Sequence, residues 1–242
     1  MKFHYLQHAE GEDIGNMREW FEARGWQISS TQLHTGESLP AADSFDWLGI
    51  MGGPMSAYDE SIYPWLVEEK RFIRAAVATG KVVVGICLGS QLLADVLGAR
   101  VYRAPHQEIG WFEIRKCQHP PYNPASWLPE HGQFLCWHGD TFELPAGAAL
   151  LASSACTPNQ GFLWGDNVVA LQFHLEAMSG TPEAFADAES SGVPGVGPFV
   201  QEWIHVTGDE RLYSESRVVM HHLLDHLEMN SARQSHTSEE FL

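Results

Sequence analysis

The spacing of apolar and polar positions changes along the chain, and each change marks an element. Lys2 to His8 is a short apolar and aromatic run that predicts a first strand. Asp13 is placed to cap a helix reaching about Ala23, where Arg24-Gly25 stops it. Gln27 to Leu33 predicts a second strand and Gly36 to Ala42 a turn-rich loop. Phe45 to Met51 is a third, more apolar strand that breaks at Gly52-Gly53-Pro54. Pro64, suited to a first helical position, opens a helix through about Thr79, closed by Gly80. The β-branched run Val82 to Cys87 is a further strand, with a helix from about Ser90 to Leu97 behind it.

The middle of the chain has a different texture. From Ala99 to Phe173 the segments are short, aromatic and punctuated by Pro and Gly. They predict antiparallel strands at Arg100 to Arg103, Gly110 to Arg115, Gln133 to Trp137, Ala149 to Ser153, Gln160 to Trp164 and Val168 to Phe173. Helical spacing returns at Pro182 to Ala188, Gly197 to Val206 and Glu210 to Met229. The fold class expected is α/β: a mostly parallel central sheet flanked by helices, with a smaller antiparallel extension. Residues 1–230 read as a single domain, and Ser231 to Leu242 as a polar, flexible tail.

Composition narrows the function. Fourteen Lys and Arg against thirty-one Asp and Glu leave a net charge of −17, which disfavours nucleic acid and anionic lipid as partners. No run reaches membrane-spanning length, and the amino terminus lacks a leader pattern. Cys87, Cys117, Cys136 and Cys156 are scattered, as in a reduced cytoplasmic protein, and no cofactor or metal is expected. His222 and His226, four apart on the last helix, have no third ligand in a recognisable motif and read as a solvated face.

The chemistry concentrates at Lys81-Val-Val-Val-Gly-Ile-Cys-Leu-Gly-Ser-Gln91. A β-branched strand that runs through G-x-C-x-G into a helix is a nucleophile elbow with cysteine as nucleophile. Cys87 would stand at the helix amino end, where the dipole favours a thiolate. A base must then be found among thirteen histidines. His174 ends the apolar run Val168 to Phe173, and Glu176, two residues on, projects to the same side of an extended chain. Both Cys87 and His174 would lie at carboxyl ends of strands, where sites in open α/β sheets gather.

The acid follows the histidine here, unlike the α/β-hydrolase order. Gly85-Ile-Cys-Leu-Gly-Ser-Gln91, followed far downstream by Gln172-Phe-His-Leu-Glu176, resembles the class I glutamine amidotransferases. Gly-Gly-Pro after the third strand and His138-Gly139-Asp140 extend the resemblance over roughly residues 45–176. It implies a flavodoxin-like fold similar to the glutaminase part of GMP synthase. It also implies hydrolysis of the glutamine side-chain amide by Cys87, His174 and Glu176 through a γ-glutamyl thioester. The backbone amides of Gly53 and Leu88 would form the oxyanion hole. Gly52, Gln91, Gly139 and Asp140 would contact substrate, although a plain turn explains Gly139-Asp140 equally well. Glu108 is a weaker substrate-site candidate. The resemblance further implies that ammonia passes to an acceptor on a partner protein, a separate synthetase subunit. Two other functions remain open: a stand-alone hydrolase of γ-glutamyl peptides or conjugates, and a non-catalytic binding module.

Overall fold

The computed structural model describes residues 1–119, 121, 123–188 and 195–239. Its elements are, in order, β1 (Lys2–Gln7), α1 (Met17–Ala23), β2 (Gln27–Gln32), β3 (Trp47–Ile50), α2 (Trp65–Ala78), β4 (Val82–Ile86) and α3 (Leu88–Val96). They continue with β5 (Val101–Lys116), β6 (His131–Phe142), β7 (Ala149–Ser153), β8 (Gly161–Trp164), β9 (Val168–Leu171), α4 (Thr181–Ala188), α5 (Trp203–Val206) and α6 (Glu210–Glu239). All nine strands form one sheet in the order β2-β1-β3-β4-β9-β8-β7-β5-β6.

The sheet is mixed, and this corrects the expectation of a mostly parallel sheet with a minor extension. The pairs from β2 to β9 are parallel and those from β9 to β6 antiparallel. The antiparallel ladders carry more paired residues, because β5 and β6 run for 16 and 12 residues while the parallel strands run for four to six. The cause is local. The parallel strands end where a crossover helix begins, whereas β5 and β6 follow one another and pair along most of their length.

The expected strands Arg100 to Arg103 and Gly110 to Arg115 are two parts of β5, which shifts register between Arg103 and Glu108. Pro105 lies in that gap and has no N–H to give the ladder. The expected helix Gly197 to Val206 shrinks to α5. Its first half instead adds to the sheet: Ile109 N–H donates to Phe199 and Gln201 N–H donates back to Ile109. At the carboxyl end α6 continues to Glu239, into the segment read as a tail; residues 240–242 lie outside the described residues.

Packing covers both faces. Trp20, Phe21, Met220, Leu223 and Leu227 from α1 and α6 close one face over Phe3, Val84 and Val169. Leu66, Ile73, Leu92 and Leu93 from α2 and α3 close the other over Leu48, Val83 and Ala170. The central strands are therefore apolar on both sides, which is why β3, β4 and β9 are continuous hydrophobic runs. A third cluster packs Phe185 of α4 and Val206 of α5 onto Ile109 and Trp137. No described helix is long and apolar enough to cross a membrane.

Candidate active site

β4 and β9 are parallel neighbours, so their carboxyl ends lie side by side and deliver Cys87 and His174 to one edge. Cys87 is the only described non-glycine residue with positive φ, at 50°. Such backbone strain costs about 1–3 kcal/mol and persists only where the surroundings enforce it. Here the Cys87 N–H donates to Leu171 at 2.8 Å, and α3 starts at the next residue. Gly89 enables the turn: a methyl group there would fall 2.0 Å from the Ile50 carbonyl oxygen of β3. The elbow read from the sequence is thus present in the backbone.

His174 is held on three sides. Its N–H donates to Leu135 at 2.8 Å, its ring packs on Phe185 with centroids 4.7 Å apart, and Nδ1 lies 2.6 Å from Glu176 Oε1. A carboxylate at Nδ1 fixes that nitrogen as the protonated one and leaves Nε2 to face the thiol. The Glu176 segment is clamped by Asn16. Its side-chain amide donates to the Leu175 and Ala177 carbonyls at 2.7 and 3.3 Å, and its backbone N–H donates to Glu176.

Charge and burial oppose one another here. Burial pushes the Cys87 thiol up, against the downward pull of His174, and the net direction is up. The expected lowering by the helix end does not prevail, because the sulfur is enclosed. It donates to the Trp137 carbonyl at 3.5 Å and receives the Gln172 amide at 3.7 Å. Burial lowers His174, but Glu176 and Cys87 outweigh it and hold the imidazole well above its ordinary value. The charge that Glu176 favours on the imidazole pulls against the burial of the neighbouring sulfur.

A cavity of about 420 Å³ opens over Cys87. Gly53, Leu88, Gln91, Gly139, Asp140 and His174 all line it. Gly53 lies against Leu88, where an added methyl group would come 2.9 Å from the Leu88 side chain. Leu88 opens α3, so its N–H is one of the first-turn donors that no helical carbonyl can accept. Gly52 stands behind this wall, its carbonyl 3.0 Å from His8 Nδ1. Gln91 Nε2 donates to the Asp140 carbonyl at 3.3 Å and to Gln172 Oε1 at 3.1 Å, so a chain of amides runs from Asp140 to the sulfur. Asp140 accepts from Ser56 at 2.6 Å and pairs with Arg103 at 3.4 Å. Glu108 is not among the residues lining the cavity; it is buried against His138.

Sequence reading missed Glu12, Ser56, Arg103, Gln172 and Asn16. Gln172 was findable, since residues 172, 174 and 176 share a side in an extended chain. The others reach the site from loops and from another strand, and carry no local signal.

The family model for Glutamine amidotransferase class-I matches residues 15–186. The glutamine amidotransferase-like protein YfeJ of Salmonella typhimurium is 36% identical over 183 residues, covering 73% of this chain and 76% of that protein. A GMP synthase (glutamine-hydrolyzing) of Bordetella parapertussis is 35% identical over 160 residues, which is 60% of this chain but only 29% of the synthase. The crystal structure of a glutamine amidotransferase from Thermotoga maritima superposes with a TM-score of 0.82 at 31% identity, covering 94% of this chain and 97% of that one.

Proposed function

The chain belongs to the class I glutamine amidotransferase family, and on that premise we propose that it hydrolyses the glutamine side-chain amide with Cys87 as nucleophile. The observation that carries this reading is the meeting, at two adjacent strand ends, of a strained cysteine and a histidine bonded to a carboxylate at 2.6 Å. Cys87 sulfur attacks the amide carbon, and His174 gives its Nε2 proton to the departing nitrogen. Ammonia leaves and a γ-glutamyl thioester remains. His174 then takes a proton from water, whose oxygen attacks the thioester; glutamate leaves and the thiol is restored. Glu176 holds the imidazole tautomer and steadies its charged form throughout.

Gly53 and Leu88 N–H groups receive the developing oxyanion; losing one such donor typically costs about 10²–10³ in rate. Gly139, Asp140 and Gln91 face the amino acid end of the substrate, with Gly52 supporting Gly53 from behind. The ammonia passes to an acceptor on a partner protein. Residues 1–230 act as one catalytic domain, and the four free thiols suit the reducing cytoplasm.

A second reading is favoured by the cavity, whose lining reaches from Cys87 out to Tyr63, Arg103 and Gln107. In that reading the substrate is a γ-glutamyl peptide or conjugate, hydrolysed by the same groups without a partner. Ammonia release from glutamine and amine release from γ-glutamyl dipeptides, each measured for the protein and for Cys87→Ala, separate the two. Release of ammonia that requires Cys87 supports the first reading. Turnover of dipeptides but not glutamine replaces it with the second.

A further inference from the structure

Below the catalytic cavity lies a polar cluster that the proposed reaction does not use. Glu108 on β5 stands directly opposite His138 on β6, and Cys136 lies two residues before His138. The alternation of side chains along a strand therefore brings all three to one face of the ladder. All are buried, and one carboxylate oxygen, the thiol sulfur and one ring nitrogen lie within 4.8 Å of one another.

With a neutral His138 the cluster is one donor short, and either a second ring proton or a metal cation would close it. His138 Nδ1 is 3.0 Å from the Asp140 carbonyl oxygen, which can only accept, so Nδ1 carries a hydrogen. In a neutral imidazole that leaves a lone pair on Nε2. This lone pair faces Glu108 Oε2 at 3.3 Å, a second acceptor. His138 Nε2 and Glu108 Oε1 are both enclosed and make no well-formed hydrogen bond, with the Ser154 and Thr157 side chains beside the carboxylate. Gln160 donates to Glu108 Oε2 at 2.7 Å and holds the carboxylate in place. The sulfur of Cys136 makes a long contact, 3.9 Å, to the Phe134 carbonyl and is also approached by the Gln160 side chain.

Histidines that bind metal characteristically donate their other ring N–H to a backbone carbonyl, which orients the free nitrogen. His138 has that arrangement. A set of one nitrogen, one carboxylate oxygen and one sulfur suits zinc, with bonds of about 2.0–2.3 Å. We propose that Glu108, Cys136 and His138 bind one zinc-class divalent ion between β5 and β6. Entry is from the cavity, whose wall includes His138. The Cys136 thiol releases its proton to solvent as the metal–sulfur bond forms, and water fills the fourth position. The Asp140 carbonyl also accepts from Gln91 at 3.3 Å, so an ion on His138 steadies the floor of the substrate pocket.

The test is independent of glutamine hydrolysis. Protein stripped with a chelator is titrated with Co²⁺ and then with Zn²⁺. One equivalent of cobalt should bind and give a thiolate-to-cobalt charge-transfer band, which zinc then removes. Cys136→Ser should lose the band, and Glu108→Gln should weaken binding about 10–100-fold, the range typical of disturbing a metal site. Cys87→Ser should keep the band. Circular dichroism checks that each variant is folded. If Cys136→Ser does not fold, X-ray absorption on the zinc-loaded native chain decides, with one sulfur in the first shell expected. The proposal is overturned by three results: no stoichiometric binding to the native chain, a band that survives Cys136→Ser, or a first shell without sulfur. A simple imidazolium–carboxylate pair would give the first of these.

Discussion

The parallel and antiparallel halves of the sheet each bury a His–Glu pair, and the two pairs are wired alike but closed differently. In the parallel half His8 Nδ1 meets the Gly52 carbonyl at 3.0 Å and Nε2 meets Glu69 at 2.7 Å. In the antiparallel half His138 Nδ1 meets the Asp140 carbonyl at 3.0 Å, but Nε2 is 3.3 Å from Glu108 with a thiol alongside. The first is a short ion pair that ties down the Gly52-Gly53 loop; the second is wide enough to be a ligand set. His174, at the seam between the halves, reverses the wiring. Its carboxylate takes Nδ1, and Nε2 is left on the side of Cys87. The role of each histidine follows from which nitrogen the carboxylate takes and how closely.

The seam is where the largest effect is expected. Cys87→Ala or His174→Ala should lower glutamine hydrolysis by about 10⁶, and the double variant should be little worse, because the groups act as a unit. Measured ammonia release checks this; additive losses would break the unit apart. Glu176→Gln retains the shape and removes the charge at Nδ1, and should cost about 10⁴ in kcat with little change in KM. A loss confined to KM would make Glu176 a binding group instead.

Two stability predictions compare the halves through their supports. Gly89→Ala drives a methyl group onto the Ile50 carbonyl oxygen, a backbone atom held in the sheet, and should lower the unfolding free energy by about 1–3 kcal/mol in urea. Asn16→Ala leaves the Leu175 and Ala177 carbonyls without its amide, at about 1–3 kcal/mol, and should lower kcat as Glu176 loosens. Unchanged kcat would show that Asn16 serves only the fold.

The smallest effect is a pH dependence. Burial lowers His8, but Glu69, the Gly52 carbonyl and Glu12 together raise it above the ordinary 6.5. The folded state therefore favours the charged ring. Its stabilisation is fully present below pH 6.5 and is lost as pH rises through the raised folded value. Denaturation curves at a series of pH values should show stability falling across that window, and His8→Gln should flatten the fall. Parallel curves for both proteins would mean that His8 stays neutral.

The parallel half was largely legible, since each strand and helix there carries its own period and its own stop. Val82 to Cys87, and the helix of Pro64 to Thr79, lie within a residue or two of β4 and α2. The elbow could be read because close packing of strand on helix demands glycine at fixed places. The antiparallel half was less legible. The ladder joining Arg103 to Asp140 and Glu108 to His138 depends on pairing between distant segments. The helix expected from Gly197 failed for the same reason: Ile109 of β5 bonds to Phe199 and Gln201 and draws that segment into extended pairing. Glu12, Ser56 and Arg103 reach the cavity through such long-range placement, which no local pattern encodes.

Treatment with a diazo-ketone analogue of glutamine, followed by intact mass and peptide mapping, decides whether Cys87 is the nucleophile of a glutamine pocket. One adduct per chain is expected, on Cys87, absent from Cys87→Ala and slowed in His174→Ala. A folded protein that stays unmodified, or carries the adduct on Cys117, Cys136 or Cys156, would contradict it.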